Sequence, residues 1–280
     1  MKIKIIFEDQ DLWVINKPPG LVVNRAETVK SPTLQDWLEE QLPPLVEFEK
    51  QKSSWAELVP TDFDEQYGTP LEIFKKRLGL VHRLDKDTSG VMVLAKNPGA
   101  LVNLLQQFKQ RQTEKRYLCL AHGKFRVPRG NIRAPLGRAN YNRQKMAVGP
   151  SGKKATTLYE VTKFYPTFKS TVIKEKFNKQ QQRRLSIYQG FSLVNCWPKT
   201  GRTHQVRVHL KHWRHPLVGD EKYAGKKRAK LDLIWCPRQF LHAAELSFNH
   251  PRQQKNQKPS VSFEAELTTD LQAVVELLKS

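Results

Sequence analysis

From Val81 to Gly90 the chain reads Val-His-Arg-Leu-Asp-Lys-Asp-Thr-Ser-Gly, a polar turn just ahead of the apolar run Val91-Met92-Val93-Leu94-Ala95. An ionised aspartate in such a turn can serve as a nucleophile or as a base, dividing one difficult step into two easier ones. Local physics allows a plainer role as well. Thr88-Ser89-Gly90 is turn chemistry, and Asp85 or Asp87 can simply cap the neighbouring backbone.

Other reactive clusters fall short of known chemistry. His204, His209, His212 and His215 invite a metal, and on a helix His209 and His212 share a face, but no carboxylate or cysteine completes the set. Cys119, Cys196 and Cys236 are far apart, odd in number and form no C-x-x-C pair, which disfavours disulfides and cysteine-based zinc and suits a reducing cytosol. Gly149 to Lys154 imitates a phosphate loop, yet Ala147 stands where the first glycine belongs and Lys154 where Ser or Thr belongs. The ligand motifs of a zinc base deaminase are missing.

The whole pattern H-R-L-D-x-x-T-S-G resembles the signature of RluA-type RNA pseudouridine synthases at every fixed position. Further segments resemble the same family in the same order: Lys17-Pro18-Pro19-Gly20-Leu21-Val22-Val23, Lys115-Arg116-Tyr117-Leu118, and Gly152 to Tyr159 after a basic hairpin. Thr200-Gly201-Arg202 to Leu210 follows with His215-Pro216-Leu217-Val218-Gly219-Asp220, and the last is Leu241 to Pro251. One short motif can arise by chance; six in register do not.

The resemblance implies the reaction: the N-glycosidic bond of a uridine in RNA is broken, the base turns, and it rejoins through carbon. It makes Asp85 the catalytic carboxylate, leaving open whether Asp85 attacks ribose or base or removes a ribose proton. Arg202 resembles its partner, a guanidinium that favours the ionised carboxylate and fixes its orientation. Tyr117 resembles the active-site tyrosine, with a ring that stacks on uracil and a hydroxyl that can accept a proton. Leu246 resembles the apolar contact on the far side of the base. Arg83 suits the lip of the pocket, filling the space a flipped base leaves. Arg138, Arg143, Lys145 and Lys153 are the candidate phosphate contacts, with Tyr141 as a stacking surface. No cofactor or metal is expected, because uracil never leaves the pocket and the family carries these histidines without a metal.

Composition agrees. Lys plus Arg number 48 and Asp plus Glu 27, a formal charge of +21 that calls for a polyanionic partner, RNA first. No apolar run approaches a membrane span, and the start MKIKIIFEDQ has neither a signal-peptide core nor the character of a transit peptide, so a cytoplasmic monomer is expected. A catalytically silent RNA-binding protein on the same fold is the alternative; Asp85, Tyr117 and Arg202 together argue against it.

These residues must be positioned by strands at Lys2–Phe7, Leu12–Ile15, Val91–Ala95, Tyr117–Ala121, Thr157–Val161 and Ser192–Cys196. Helices are expected at Thr33–Gln41, from Pro98 through Phe108, and at Asp270–Lys279. The segment after Thr203 fits a strand or a helix, the helix being favoured. Strands outnumber helices without βαβ alternation, which predicts an α+β fold with a mixed, mainly antiparallel sheet and flanking helices. A single catalytic domain over 1–280 is expected, starting without an S4 module. It carries an irregular insertion at 26–76 that holds no chemistry, an exposed basic loop or hairpin over Arg126–Lys154, and a basic loop near 170–186.

Overall fold

In the computed structural model, which describes residues 3–140, 142–253 and 261–279, the alternating start forms β1 (Lys4–Glu8) and β2 (Leu12–Lys17). They pair antiparallel around a turn in which Asp9 Oδ1 accepts the backbone N–H groups of Asp11 and Leu12 at 2.8 and 2.9 Å. α1 (Leu34–Gln41) starts where its cap predicts, Thr33 and Asp36 forming a capping box.

The rest of 26–76 is more ordered than its composition suggests. It contains α2 (Leu45–Lys50), α3 (Lys52–Ala56), a 3-10 turn at Glu65–Tyr67 and α4 (Pro70–Arg77). The expected loop-like stretch is corrected here. Thr69 and Glu72 form a second capping box and Pro70 occupies the first turn, where its missing N–H costs nothing. β3 (Ser89–Ala95) is buried throughout and pairs with β2 from Leu12↔Ala95 to Lys17↔Gly90. α5 (Pro98–Gln110) follows, capped by Asn97. Phe48, Leu58 and Phe74 from the insertion share one core with Val91, Val93, Leu101 and Leu104, so the insertion is part of the packing.

Next come β4 (Glu114–His122), β5 (Arg129–Arg133), β6 (Leu136–Ala139), β7 (Asn142–Val148), β8 (Thr156–Tyr165) and β9 (Thr167–Phe168). The basic stretch Arg126–Lys154 is therefore largely strand. β6 and β7 make the hairpin, while β5 pairs with β8. The polar run near 170–186 is also corrected: it folds as α6 (Ser170–Lys176) and α7 (Lys179–Arg183), with an Asn178–Gln181 capping box. Val172 and Phe177 tie it to a cluster with Phe168, Phe191 and Trp235. β10 (Phe191–Pro198), α8 (Gln205–His212) and α9 (Lys226–Asp232) complete this stretch, α8 being helical as favoured.

β11 (Leu241–Phe248) and β12 (Val261–Glu264) pair antiparallel, and α10 (Thr269–Glu276) leads into β13 (Leu278–Lys279), which pairs with β9. The chain forms two compact units: Met1–Glu114 with Glu245–Ala265, and Lys115–Ala244 with Glu266–Ser280. In the first the strand order is β1-β2-β3 and then the part of β11 from Glu245 on, with β12 beside it; the second contains the order β4-β10-β8-β5. This is the α+β, mainly antiparallel architecture expected from the sequence.

Candidate active site

In the first unit, the Asp85 turn enters β3 through a narrow passage. Gly79 has φ +79°, and a Cβ there would lie 2.1 Å from the carbonyl oxygen of Ala95. Glycine is the residue that fits. After it, Val81 and Leu84 are buried at 4% and 5% exposure, Thr88 and Ser89 are buried, Asp85 is half-buried, and Arg83 and Lys86 are exposed. The Thr88 N–H donates to the Asp85 carbonyl at 3.1 Å, closing a tight turn. Buried anchors on both sides thus hold Asp85, a residue that keeps part of its surface open.

Two neighbours fix this turn further. The His82 ring stacks on Phe108 at 4.7 Å between centroids, and its Nε2 accepts the Val93 N–H at 3.2 Å. An accepting Nε2 carries no proton, so His82 is a fastener here. Lys17 has 0% exposure, and its Nζ donates to the carbonyls of Pro18 at 2.8 Å, Leu21 at 3.0 Å and Lys86 at 2.9 Å. One buried ammonium therefore joins the Lys17–Val23 loop to the residue after Asp85.

In the second unit, Tyr117 is half-buried on β4, opposite Cys196, and packs against the cluster containing Cys119, Val194 and Val206. Two residues before it, burial pulls the Lys115 ammonium pKa down, and repulsion from Lys199 adds to the effect.

Arg202 lies in a turn pinned by Gln205, which is 5% exposed. The Gln205 side-chain oxygen accepts from Thr200 Oγ1 at 2.6 Å and from the Arg202 N–H at 3.1 Å. Its Nε2 donates to the Thr156 carbonyl at 2.9 Å and Thr157 Oγ1 at 3.0 Å. Arg202 Nε reaches the Lys154 carbonyl at 3.4 Å.

The helix behind that turn is held by a buried bidentate pair, Arg207 Nε and Nη2 to Asp220 at 2.8 and 2.9 Å. Gly219, just before Asp220, has φ +71°, and a Cβ there would meet the Arg238 carbonyl oxygen at 2.1 Å. The Tyr223 hydroxyl accepts the Met146 N–H at 2.9 Å and pairs with His204 Nδ1 at 2.7 Å, fastening the basic hairpin to α8.

On that hairpin Arg138 Nη1 donates to the Arg143 carbonyl at 2.8 Å, Arg143 is exposed and Lys145 half-buried. Lys153, also exposed, is tied to Leu136 by reciprocal backbone bonds of 2.9 Å. Tyr141 lies outside the described residues.

The sequence profile of the family described as "RNA pseudouridylate synthase" matches residues 11–212. The chain belongs to this family. It is 34% identical over 279 residues to the "Uncharacterized RNA pseudouridine synthase YlyB" of Bacillus subtilis, covering 100% of this chain and 74% of that one. It is likewise 34% identical over 281 residues to the "Ribosomal large subunit pseudouridine synthase D" of Zymomonas mobilis, covering 99% and 73%. Its fold resembles that of the human "RNA Pseudouridylate Synthase Domain Containing 1", with a TM-score of 0.63 at 23% identity over 98% of this chain and 87% of that one. It is accordingly an RNA pseudouridine synthase, an isomerase acting on RNA.

His209 and His215 of this pseudouridine synthase work as hydrogen-bonding groups. His209 Nε2 donates to the Ala134 carbonyl at 3.0 Å, leaving Nδ1 to accept from Thr157 Oγ1 at 2.9 Å; His215 Nδ1 donates to the His122 carbonyl at 2.8 Å. Burial lowers the pKa of both.

Among the described residues, Asp9, Asp11 and His250 bring ligand-type atoms within 4.8 Å of one another. They are already engaged: His250 Nε2 pairs with Asp9 Oδ2 at 2.7 Å, and Arg252 binds both Asp11 oxygens at 2.5 and 3.0 Å. Arg252 supplies the positive charge there.

Leu246 is 1% exposed and belongs to the core of the first unit. Sequence reasoning passed over Lys17 and Gln205 as working residues. A lysine reads as solvated until its acceptors are seen, whereas Gln205, three residues after Arg202 at a helix start, carries a legible capping signal.

Proposed function

We propose that this enzyme converts uridine to pseudouridine in large-subunit ribosomal RNA, with Asp85 as its catalytic carboxylate. The substrate reading rests on similarity to proteins named ribosomal large subunit pseudouridine synthase D, including those of Zymomonas mobilis and Nitrosomonas europaea, with 99% of this chain and 73% and 66% of those proteins covered. The observation that carries the assignment of Asp85 is its turn: a half-buried aspartate between buried anchors, with the next residue's carbonyl held by Lys17.

Asp85 acts as nucleophile or as base while the bond between ribose and the uracil nitrogen breaks. The freed base turns and bonds through carbon; the proton on that carbon is lost in the last step, and the ring nitrogen released from ribose ends with a proton in its place. Uracil is both leaving group and incoming group, so atoms balance without a cofactor or water. Arg202 keeps the carboxylate ionised and oriented. The Tyr117 ring stacks on uracil and its hydroxyl takes the proton. Arg83, exposed on the Asp85 turn, fills the place of the flipped nucleotide, whose unstacking costs a few kcal/mol. Arg138, Arg143, Lys145 and Lys153 track phosphates. The enzyme works as a cytoplasmic monomer. No helix among the described residues is long and apolar enough to cross a membrane.

Asp85→Asn tests the assignment, because it keeps the shape and removes the charge. Single-turnover conversion, read by carbodiimide-based pseudouridine detection, should become undetectable while RNA affinity stays near wild type. Arg202→Ala should also slow turnover, and the double variant should be no slower than Asp85→Asn alone, because groups acting as one unit are not additive. Appreciable conversion by folded Asp85→Asn refutes the assignment.

A further inference from the structure

The insertion that the sequence marks as free of chemistry helps form a cavity of ≈ 630 Å³, lined by residues 62–77 and α5. Phe63, Tyr67, Ile73 and Leu105 give it apolar surface, while Lys76, Arg77 and Lys109 bring three cations. All three cations are exposed and lie in the last turns of α4 and α5. Tyr67 is 67% exposed, a large aromatic whose ring the fold itself leaves mostly in water.

Flat aromatic surface beside several cations suits a nucleotide: the ring stacks on a base, and the cations take its phosphates. The volume lies within the range of small-ligand pockets. Asp62 and Asp64 also line it, and they bear on which base fits. A carboxylate repels phosphate but accepts hydrogen bonds from an exocyclic amino group, as acidic side chains do from cytosine. Asp62 further fixes the Gln106 amide, whose Nε2 lies 2.9 Å from each Asp62 oxygen.

We propose that this cavity is a second RNA site, holding one unpaired nucleotide of the substrate whose base carries an amino group, hence adenine, cytosine or guanine and not uracil. The proposal rests on the RNA-modifying reading above and adds a docking contact whose lining includes none of Asp85, Tyr117 and Arg202.

Its test is a binding titration of an rRNA substrate fragment at several salt concentrations, alongside single-turnover conversion at saturating RNA. Tyr67→Ala should weaken binding roughly 10-fold, within the range for loss of one stacked base, and leave the saturated rate unchanged. Lys76→Glu with Lys109→Glu should flatten the slope of log K against log[salt] by about 1.4, from about 0.7 for each of two lost phosphate contacts. A control pair, Lys30→Glu with Lys50→Glu, makes the same change of charge at exposed positions of the same unit outside the cavity lining. It should have the smaller effect.

Replacing by uridine the nucleotide that photo-crosslinks to Tyr67 should weaken binding. Tyr67→Ala within twofold of wild type, or a control pair as damaging as the cavity pair, overturns the proposal. So does loss of adenosine monophosphate binding in Tyr67→Ala with RNA binding intact, which would mark a small-molecule site. If wild type binds RNA through Tyr67 but converts no uridine, the activity reading fails and this site stands.

Discussion

Lys17→Met keeps the length of a fully buried side chain and removes its ammonium. Three of its bonds, those to backbone carbonyls, set the scale of the energy. Bonds to a charged donor contribute about 1.5–3 kcal/mol each, but burying the charge has already cost several kcal/mol, so the three do not simply add. What the variant must bear is the cost of unpaired acceptors. The Leu21 carbonyl bond is buried, and losing it costs about 1–3 kcal/mol; the bonds to Pro18 and Lys86 are partly buried, so water recovers part of each, leaving roughly 0.5–1 kcal/mol apiece.

The sum is about 2–5 kcal/mol, a large share of the roughly 5–15 kcal/mol that holds a folded protein together. A second effect is local. With the Lys86 carbonyl released, the Asp85 turn loses one anchor, and a catalytic group misplaced by about 1 Å can cost on the order of 100-fold in rate. Urea unfolding should therefore show a lower midpoint at unchanged slope, and single-turnover conversion should fall more than RNA affinity. An unchanged midpoint together with wild-type conversion would refute the argument that this ammonium holds the turn.

Tyr117→Phe keeps the stacking ring and removes the hydroxyl, so turnover should drop by about 10²–10⁴, well beyond any change in affinity; wild-type turnover would demote Tyr117 to packing. Gln205→Ala releases the Thr200–Arg202 turn, and conversion should fall by roughly 10- to 100-fold with little effect on RNA binding, an equal loss in both pointing instead to misfolding. Burial depresses the pKa of His209 and His215 below the ordinary 6.5, so the unfolded chain takes up these protons first as pH falls. Their contribution is complete above pH 6.5 and is lost below it, at most about 1.4 kcal/mol per pH unit per histidine. Urea midpoints from pH 8 to pH 5 should show this decline and His209→Gln should flatten it; a level wild-type profile would contradict it.

Sequence reading went furthest where local physics is strong. Thr33, where the first helix is expected to start, caps α1 with its own side chain, and the apolar run Val91–Ala95 lies in the fully buried β3. It failed on α2, α3, α6 and α7, which have five to seven residues each. A helix that short shows little periodicity and owes its existence to tertiary packing, as Phe48, Trp55 and Phe177 show by being buried. α4 was legible and was missed: Thr69-Pro70-Leu71-Glu72 is a capping box with proline at its first turn. At the candidate site, motif residues stand out by type and Gln205 by its place at a helix start, whereas Lys17 works through carbonyls supplied partly by another segment, which no spacing rule reveals.

The division of the chain into interleaved units has a consequence for synthesis. The first unit needs Glu245–Ala265 to supply β12 and part of its core, yet these residues follow Glu114 by 245 − 114 = 131 positions. At about 5–20 residues per second, the ribosome takes roughly 7–26 s to make that stretch. Through that interval Val91, Leu101, Leu104 and their neighbours wait without Leu246 and Phe248. The second unit in turn waits for Glu266–Ser280, the source of Leu271 and Val274 in its core. Each unit therefore gains part of its core only after the other unit's residues have been made.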